Sequence, residues 1–266
     1  MSECTWRAVA EAAAESGRSR PAVHATLPAE FVLLHGAGGG AWEWGRWVRL
    51  LQAQGCAVHV PDFSRRCAAD ALADARAFPR LRTELLGRLQ LKSGCVLVGA
   101  SLGGLLAATM ADTLQARALV LLNPAIPAAT AQPRQGSVVM HGNRPWGLRA
   151  SVGGTRDAIS ELHPVDVLQV FRRWSDCGQQ LLAEVGEGID VPRPLMPCLL
   201  LCSDSDAEIP ADGVRRLAAD WSAQLQWLRG SHVAPVLGAE AAVAVAQTLA
   251  WLRGLDPNTG RTRSDG

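Results

Sequence analysis

Four features that would indicate other classes of protein are missing from this 266-residue sequence. No window approaches about 18 uninterrupted apolar residues, so no membrane span is expected. The 26 lysines and arginines nearly balance the 25 aspartates and glutamates, which argues against nucleic acid or an anionic membrane as the main partner. The seven cysteines include no C-x-x-C pair, and the N-terminus has no apolar signal-peptide segment. A disulfide framework or zinc site is therefore not expected, and a reducing cytoplasm is the expected location.

What the sequence does contain is typical of a globular α/β protein, with 48% hydrophobic and 19% charged residues. Short apolar runs alternate with helical stretches, and their continuous apolarity is typical of strands covered on both faces. This alternation predicts a parallel sheet wrapped by helices. The predicted strands are 31–34, 56–60, 95–99, 118–122, 198–202 and 225–228. The predicted helices are 45–54, 68–91 with an interruption at Pro79, 102–116, 211–221 and 239–252.

The alternation stops between residues 124 and 197, where no strand pattern occurs. A structureless loop of that length is improbable in a globular domain. The stretch contains aromatic residues and a helical pattern at 164–174, so we predict an inserted cap of helices. The predicted organisation is an N-terminal extension (1–27), a core (28–123 and 198–254), the cap (124–197) and a flexible tail (255–266).

A nucleophile motif follows the third predicted strand. Residues 96–104 read V-L-V-G-A-S-L-G-G, in which G-x-S-x-G lies between an apolar run and a helical pattern. A serine hydroxyl is a weak nucleophile that must stand clear of the backbone and close to a base. Gly99 and Gly103 would relieve the crowding of a sharp turn because they lack a Cβ. The alternative is an ordinary glycine-rich turn; the strand–turn–helix context favours Ser101 as a catalytic nucleophile.

A glycine-rich loop follows the first predicted strand. Residues 31–40 read F-V-L-L-H-G-A-G-G-G. The carboxyl ends of parallel strands share one edge of a sheet, so this loop should lie beside Ser101. Acyl transfer needs two N–H donors about 3 Å from a developing oxyanion. We assign these donors to the backbone of Ala37 and Leu102, with Gly38 as the alternative to Ala37.

An acid and a base follow later predicted strands. Residues 199–210 read L-L-L-C-S-D-S-D-A-E-I-P, so Asp204 and Asp206 both follow an apolar run. Such a carboxylate could orient a histidine and stabilise its imidazolium form. His232 follows the next apolar run, and the chain order Ser101, Asp, His is that of a known hydrolase triad. At this point either aspartate fits the role of the acid.

The remaining histidines fit other roles better. His35 ends the first strand and is expected to brace the glycine-rich loop by hydrogen bonds instead of acting as the base. His24 and His59 precede the nucleophile and are expected to be structural. His141 and His163 fall in the predicted cap, where a surface position is the simpler interpretation.

With these motifs placed, residues 28–254 resemble an α/β-hydrolase-fold serine hydrolase. Residues 35–37 read H-G-A and residues 41–44 read A-W-E-W, which is similar to small esterases related to plant methylesterases and hydroxynitrile lyases. The resemblance implies the α/β-hydrolase fold. That fold has a mostly parallel central sheet flanked by helices, with a helical cap inserted after the sixth core strand.

The resemblance also implies roles for individual residues: oxyanion donors Ala37 and Leu102, nucleophile Ser101 and base His232. The family's acid segment typically reads G-x-x-D-x-x-x-P. Here Ser203 stands where that glycine is usual, and Asp206 lies four residues before Pro210. This alignment favours Asp206 over Asp204 as the acid.

Hydrolysis of a carboxylic ester or thioester is the expected function, with a small acyl substrate and no metal or organic cofactor. Alternatives are a lyase, a C–C hydrolase or an acyltransferase of the same fold, or a ligand-binding protein without turnover. Gly38, Trp146, Phe171 and Trp174 are candidate substrate contacts. The three aromatic side chains could equally hold the cap to the core. No tyrosine is available as an accessory oxyanion donor.

Overall fold

A computed structural model describes residues 30–64, 77–89, 91, 94–130 and 151–255. These residues build a sheet of six parallel strands in the order β2-β1-β3-β4-β5-β6. The predicted parallel sheet is therefore confirmed, and each strand lies within one or two residues of its predicted position. The strands are β1 (Glu30–Leu34), β2 (Ala57–His59), β3 (Val96–Ala100), β4 (Ala118–Leu122), β5 (Cys198–Ser203) and β6 (Gln224–Leu228).

Helices flank the sheet, and their bounds follow the predicted pattern with two corrections. A 3-10 helix (Ala41–Trp44) leads into α1. The α-helices are α1 (Gly45–Gln52), α2 (Ala77–Arg88), α3 (Leu102–Met110), α4 (Val152–Ala158), α5 (Pro164–Phe171), α6 (Gln179–Glu187), α7 (Ala211–Trp221), α8 (Ala234–Leu237) and α9 (Glu240–Gly254). No helix among the described residues is both long and apolar enough to cross a bilayer.

The expected interruption at Pro79 is wrong. Helix α2 begins at Ala77, and the backbone N–H groups of Ala77 and Phe78 donate to the carboxylate of Glu184 at 2.7 and 2.9 Å. Pro79 thus occupies the first turn, where a missing N–H leaves no helix bond unmade. The remainder of the predicted helix before Ala77 falls largely outside the described residues.

Helix α3 is shorter than the predicted 102–116. It ends at Met110, and Gln115 adopts a φ of 48° before the chain enters β4. The N–H of Ala116 donates to the carbonyl of Ala111 at 2.9 Å, which closes the turn that redirects the chain. Apolar composition alone could not indicate this end, because the turn residues continue the alanine-rich pattern.

The central strands are buried on both faces, which explains their continuous apolarity. Alternate residues of β1 point into two separate cores: Val32 and Leu34 into one, Phe31 and Leu33 into the other. Helices α2, α3 and α7 pack against the first core, and α1 and α9 against the second. The sheet is therefore a rigid platform whose carboxyl edge carries the loops described below.

The segment between β4 and β5 contains helices α4, α5 and α6 in its described part. We expected the insertion after the sixth core strand, a count that stays a prediction because residues 1–29 lie outside the described sheet. Four of its strands precede residue 124, and β4 and β5 are parallel neighbours whose connection must cross over anyway. Among the described strands, the insertion therefore follows the fourth. The extension 1–27 and the tail from residue 256 lie outside the described residues, and the cap remains a prediction as a domain.

Candidate active site

Ser101 lies on a sharp turn between β3 and α3. Its φ of 50° and ψ of −119° are strained for a residue with a Cβ, and they present the side chain away from the strand. A Cβ on Gly99 would collide with the carbonyl of Gly103, and a Cβ on Gly103 would collide with the carbonyls of Leu34 and His35. The expected need for glycine at both positions is confirmed. The turn is built from backbone packed against backbone.

The glycine-rich loop lies against this turn. A Cβ placed on Gly36 would come 3.4 Å from the Cβ of Ser101 and 3.6 Å from the carbonyl oxygen of Ala100. Ala37 is partly buried, and Leu102 is the first residue of α3. The two backbone segments assigned as oxyanion donors therefore converge on Ser101. Helix α3 adds partial positive charge at its N-terminus on the same side.

His35 braces this loop, as expected. Its Nδ1 lies 2.9 Å from the carbonyl oxygen of Gly36, and its Nε2 accepts a hydrogen bond from the N–H of Phe63 at 3.1 Å. The imidazole stacks on the Phe63 ring with centroids 3.6 Å apart. Burial lowers the pKa of His35 to about 4, so the ring is neutral, with Nδ1 as the donor. Both nitrogens are occupied, which leaves neither available as a base.

His232 and Asp206 form a buried pair at the ends of β6 and β5. His232 Nδ1 lies 2.8 Å from Asp206 Oδ2, with the two side chains 8% and 4% exposed. The other carboxylate oxygen, Oδ1, accepts from the N–H groups of Glu208 and Ile209 at 2.8 and 3.0 Å. Asp204, by contrast, is exposed and accepts from the N–H of Gly230. The structure brings Asp206 to the histidine and uses Asp204 to join two loops.

Asn123 connects the serine and histidine sides of the site. Its buried amide donates to the backbone carbonyl of His232 at 2.7 Å and accepts from the N–H of Ser203 at 2.7 Å. The adjoining backbone holds Ser101, whose N–H donates to the carbonyl of Leu122 at 3.0 Å. Asn123 adopts a φ of 42°, which asparagine tolerates better than most residues. The ends of β3, β4 and β5 are thus tied to the histidine loop.

Residues 31–248 match the alpha/beta hydrolase family. The chain belongs to this family. The site lies where such a fold carries its chemistry, at the carboxyl edge of the parallel sheet. The expected fold and the expected resemblance to esterases are confirmed, and the protein is a hydrolase.

Solved structures with the same fold include several esterases. A methylesterase from Arabidopsis is 19% identical, with a TM-score of 0.60 over 83% of this chain and 98% of that chain. Polyneuridine aldehyde esterase is 12% identical, with a TM-score of 0.62 over 82% of this chain and 98% of that one. The thioesterase domain from the curacin biosynthetic pathway is 16% identical, with a TM-score of 0.58 over 85% and 92%. No curated protein matches this hydrolase in sequence.

The electrostatic surroundings of His232 favour its charged form. Burial alone would lower its pKa, but the hydrogen bond to Asp206 and the charges of Glu208 and Asp206 raise it above the ordinary value of 6.5. Glu208 Oε2 lies 3.5 Å from His232 Nε2, and its side chain is half exposed. The nitrogen that would serve the nucleophile therefore faces Glu208 in this structure, and among the described residues the Ser101 hydroxyl makes no hydrogen bond. Such contacts often tighten only when substrate is bound.

A second carboxyl, that of Glu43, is buried beneath the glycine-rich loop. Its residue is 4% exposed, and a Cβ on Gly39 would collide with the carboxyl group. Burial raises the pKa of Glu43 from 4.5 to about 8, although the backbone N–H groups of Gly40 and Gly36 and the charge of His232 oppose that rise. At neutral pH the hydrolase therefore carries an uncharged acid directly behind the loop.

The predicted substrate contacts have different surroundings. Trp174 packs edge-on against Trp42 with ring centroids 5.5 Å apart, which supports the interpretation that it holds the inserted segment to the core. Phe171 is partly buried at the end of α5. Gly38 is buried with a φ of 73°, and Trp146 lies outside the described residues. Contact of any of these residues with substrate remains a prediction.

Metal and thiol chemistry have few candidate groups in the described part of the hydrolase. No cluster of three or more His, Cys, Asp or Glu side chains there could hold a metal ion. The described cysteines are free and buried, and burial raises the pKa of Cys198 and Cys202 to about 12. Thiolates, the reactive form of cysteine, are therefore strongly disfavoured at these two positions.

Sequence reasoning missed three polar residues of the site: Glu43, Asn123 and Glu208. Asn123 carried a usable signal, because it directly follows a wholly apolar strand at the edge that also holds Ser101. Glu43 stands between two tryptophans that are close in sequence, a poor setting for a solvated charge. Glu208 had no signal of its own, since a glutamate in a polar loop is ordinary.

Proposed function

We propose that this hydrolase cleaves a carboxylic ester or thioester through an acyl-enzyme intermediate. In this proposal Ser101 is the nucleophile, His232 the base and Asp206 the acid that orients it. The backbone N–H groups of Ala37 and Leu102 bind the oxyanion. The substrate is a small acyl compound, and the reaction uses no metal or organic cofactor.

The steps follow from the proposed roles. Neutral His232 takes the proton of Ser101 through Nε2 as Oγ attacks the acyl carbon, and Asp206 stabilises the resulting imidazolium. The tetrahedral oxyanion receives the N–H groups of Ala37 and Leu102, and its collapse expels the alcohol or thiol, which His232 protonates. Water then repeats the sequence on the acyl-enzyme, releasing the carboxylic acid and regenerating the Ser101 hydroxyl.

The observation that carries this proposal is the 2.8 Å contact between His232 Nδ1 and Asp206 Oδ2. It supports a tautomer with the proton on Nδ1, which leaves the lone pair of Nε2 as the base. The strained backbone of Ser101 supports the nucleophile assignment, since strain is retained where function requires it. The esterase neighbours support ester chemistry through their fold alone.

The first experiment is labelling with a fluorophosphonate, followed by intact mass measurement and peptide mapping. Wild type should gain one label, at Ser101, and Ser101→Ala should gain none. Ser205→Ala removes an exposed serine from the neighbouring loop and should label like wild type. A folded wild-type protein that takes no label, or labels elsewhere, would contradict the proposed function.

Turnover then needs a substrate series. Ser101→Ala should lower kcat by about a million-fold, because a triad fails as a unit when its nucleophile is removed. p-Nitrophenyl esters of rising chain length, assayed beside acyl-coenzyme A thioesters, would separate esterase from thioesterase preference. A cytoplasmic location remains a prediction, supported by the five free cysteines of the described residues.

A further inference from the structure

The segment between β4 and β5 hydrogen-bonds to the glycine-rich loop on one side of the site. The N–H of Ser175 donates to the carbonyl of Gly38 at 2.8 Å. Its hydroxyl lies 3.3 Å from that same oxygen and 3.4 Å from the carbonyl oxygen of Gly39. These carbonyls lie one and two residues beyond Ala37, so the contacts hold the part of the glycine-rich loop that follows the proposed oxyanion donor. Gly38 has a φ of 73°, a left-handed backbone conformation that glycine adopts without strain, so the chain changes direction at this residue.

The same segment holds the histidine loop on the other side. The N–H of Ser231 donates to the carboxylate of Glu161, and its hydroxyl contacts Glu161 Oε2 at 2.9 Å and the carbonyl oxygen of Ala158 at 2.8 Å. The N–H of Val233 donates to the carbonyl of Ala158 at 3.2 Å. The residues on both sides of His232 are therefore held by the inserted segment.

The packing at this second contact is close. Gly230 has a φ of 101°, and a Cβ there would collide with the Glu161 carboxylate. Ser231 is 3% exposed, so its hydroxyl needs partners from protein atoms. Both partners of that hydroxyl, Ala158 and Glu161, come from the inserted segment. The histidine loop is therefore supported from the sheet edge, through Asn123 and Asp206, and also from the inserted segment.

We propose that the inserted segment is a brace that positions both loops of the catalytic site, with Ser175 setting the oxyanion loop and Glu161 with Ser231 setting the His232 loop. These are positioning residues, since none touches the reacting atoms. The inference rests on the proposed ester or thioester hydrolysis and adds to it a role for the segment beyond covering the substrate.

Displacement of a catalytic group by about 1 Å can lower the rate by up to a hundred-fold, so release of either contact should reduce kcat more than it changes KM. We expect Ser231→Ala to lower kcat about ten-fold, because it removes both hydroxyl contacts. Glu161→Ala should have a similar effect. The double variant should be little worse than either single one, since both break the same contact.

The two contacts should also give different signatures. Ser175→Ala should weaken binding of a trifluoromethyl ketone, whose hemiketal oxyanion needs the glycine-rich loop, by about three-fold. It should leave the pH dependence of kcat/KM unchanged. Ser231→Ala should alter that pH dependence, because His232 loses its alignment with Asp206. Combined, Ser175→Ala and Ser231→Ala should multiply in kcat, since they act on separate loops.

Ser151→Ala and Asp157→Asn are the matched controls in the same segment. Ser151 caps α4 by accepting from the N–H of Gly154 at 2.9 Å, so its loss should lower Tm without changing kcat. Asp157 is exposed and tests for a general effect of charge. Should Ser231→Ala fail to fold, Glu161→Ala removes the partner carboxylate from an exposed position and gives the same readouts.

A purely structural role would contradict the proposed brace. In that case the three variants Ser231→Ala, Glu161→Ala and Ser175→Ala would lower Tm, as Ser151→Ala does. They would leave kcat and inhibitor affinity within about two-fold of wild type and the pH profile unchanged. Failure of the proposed function would look different. In that case wild type itself would take no fluorophosphonate label at Ser101, and no variant could change a rate that wild type lacks.

Discussion

The serine turn and the histidine loop lie side by side but are held by different forces. The turn at Ser101 is shaped by backbone packing: Gly99 lies against Gly103 within the motif, and Gly103 lies against the end of β1. The loop at His232 is held by side chains from far along the chain, including Asn123 and Asp206. A site can therefore combine one part whose motif is recognisable in nine consecutive residues with another that can be recognised only after folding.

The turn at Ser101 should fail to form when a side chain at Gly103 blocks the contact between backbone segments. Gly103→Ala would drive a Cβ into the carbonyls of Leu34 and His35, which are fixed in the central sheet. We expect loss of folded protein, measured by circular dichroism and yield, together with all hydrolase activity. Gly87→Ala is the control, because nothing lies within 4 Å of a Cβ there. A folded, active Gly103→Ala protein would show that backbone packing at Gly103 does not shape the turn.

The histidine loop should be sensitive to one aspartate and tolerant of its neighbour. Asp206→Asn should lower kcat about ten-thousand-fold by favouring the wrong tautomer of His232. Asp204→Asn should stay within a few-fold of wild type, since Asp204 only joins two loops through the N–H of Gly230. The measurement is kcat for both variants on one p-nitrophenyl ester. Equal losses would mean that the acid is wrongly assigned.

Removing the Asn123 amide, which links the serine turn to the histidine loop, should have an intermediate effect on activity. Asn123→Ala leaves the N–H of Ser203 and the carbonyl of His232 without their 2.7 Å partners. Each buried group left unpaired costs about 1–3 kcal/mol of stability. We expect a clear drop in Tm and a ten- to hundred-fold drop in kcat. A variant that loses stability but keeps wild-type kcat would show that Asn123 supports the fold without positioning the base.

Glu43 should make the free energy of unfolding depend on pH. Its pKa is about 8 in the folded chain and 4.5 as a free group, so the unfolded chain releases this proton first. Stability must therefore fall as pH rises from about 4.5 to 8 and then level off. Glu43→Gln removes this pH-dependent contribution and should raise stability above pH 8, by at most about 5 kcal/mol. Denaturant unfolding at pH 5 and pH 9 tests the sign: equal variant effects at both values would contradict it.

The smallest expected effect concerns Glu208. Activity requires neutral His232, so kcat/KM should rise with pH through the raised pKa of His232. Glu208→Gln removes one cause of that elevation, and the rise should move to lower pH. The shift should be under about one unit because Glu208 is half exposed and screened by solvent. A flat wild-type profile from pH 5 to 9 would contradict the role of His232 itself.

Much of the fold was predictable from sequence because the sheet is buried on both faces. Apolar runs marked all six described strands, although the runs of the edge strands β2 and β6 are interrupted by His59 and Gln226, and α7 matched its predicted bounds of 211–221. The errors in the predicted helices fell where the apolar pattern does not show where the chain changes direction. The end of α3 depends on the backbone angle of Gln115, and the uninterrupted helix at Pro79 depends on the distant carboxylate of Glu184, which accepts from the N–H groups of Ala77 and Phe78.

By itself, the sequence determined the strand–turn–helix around Ser101, since steric exclusion between neighbouring backbone atoms acts over a few residues. It also determined the order of serine, acid and histidine along the chain. Only the tertiary structure decided that Glu43 is buried, that Glu161 and Ser175 reach the two loops, and that Asp206, which the family resemblance had favoured, pairs with His232. Those outcomes depend on burial and on hydrogen bonds between residues far apart in sequence, whose geometry exists only once the sheet and the inserted segment have packed together.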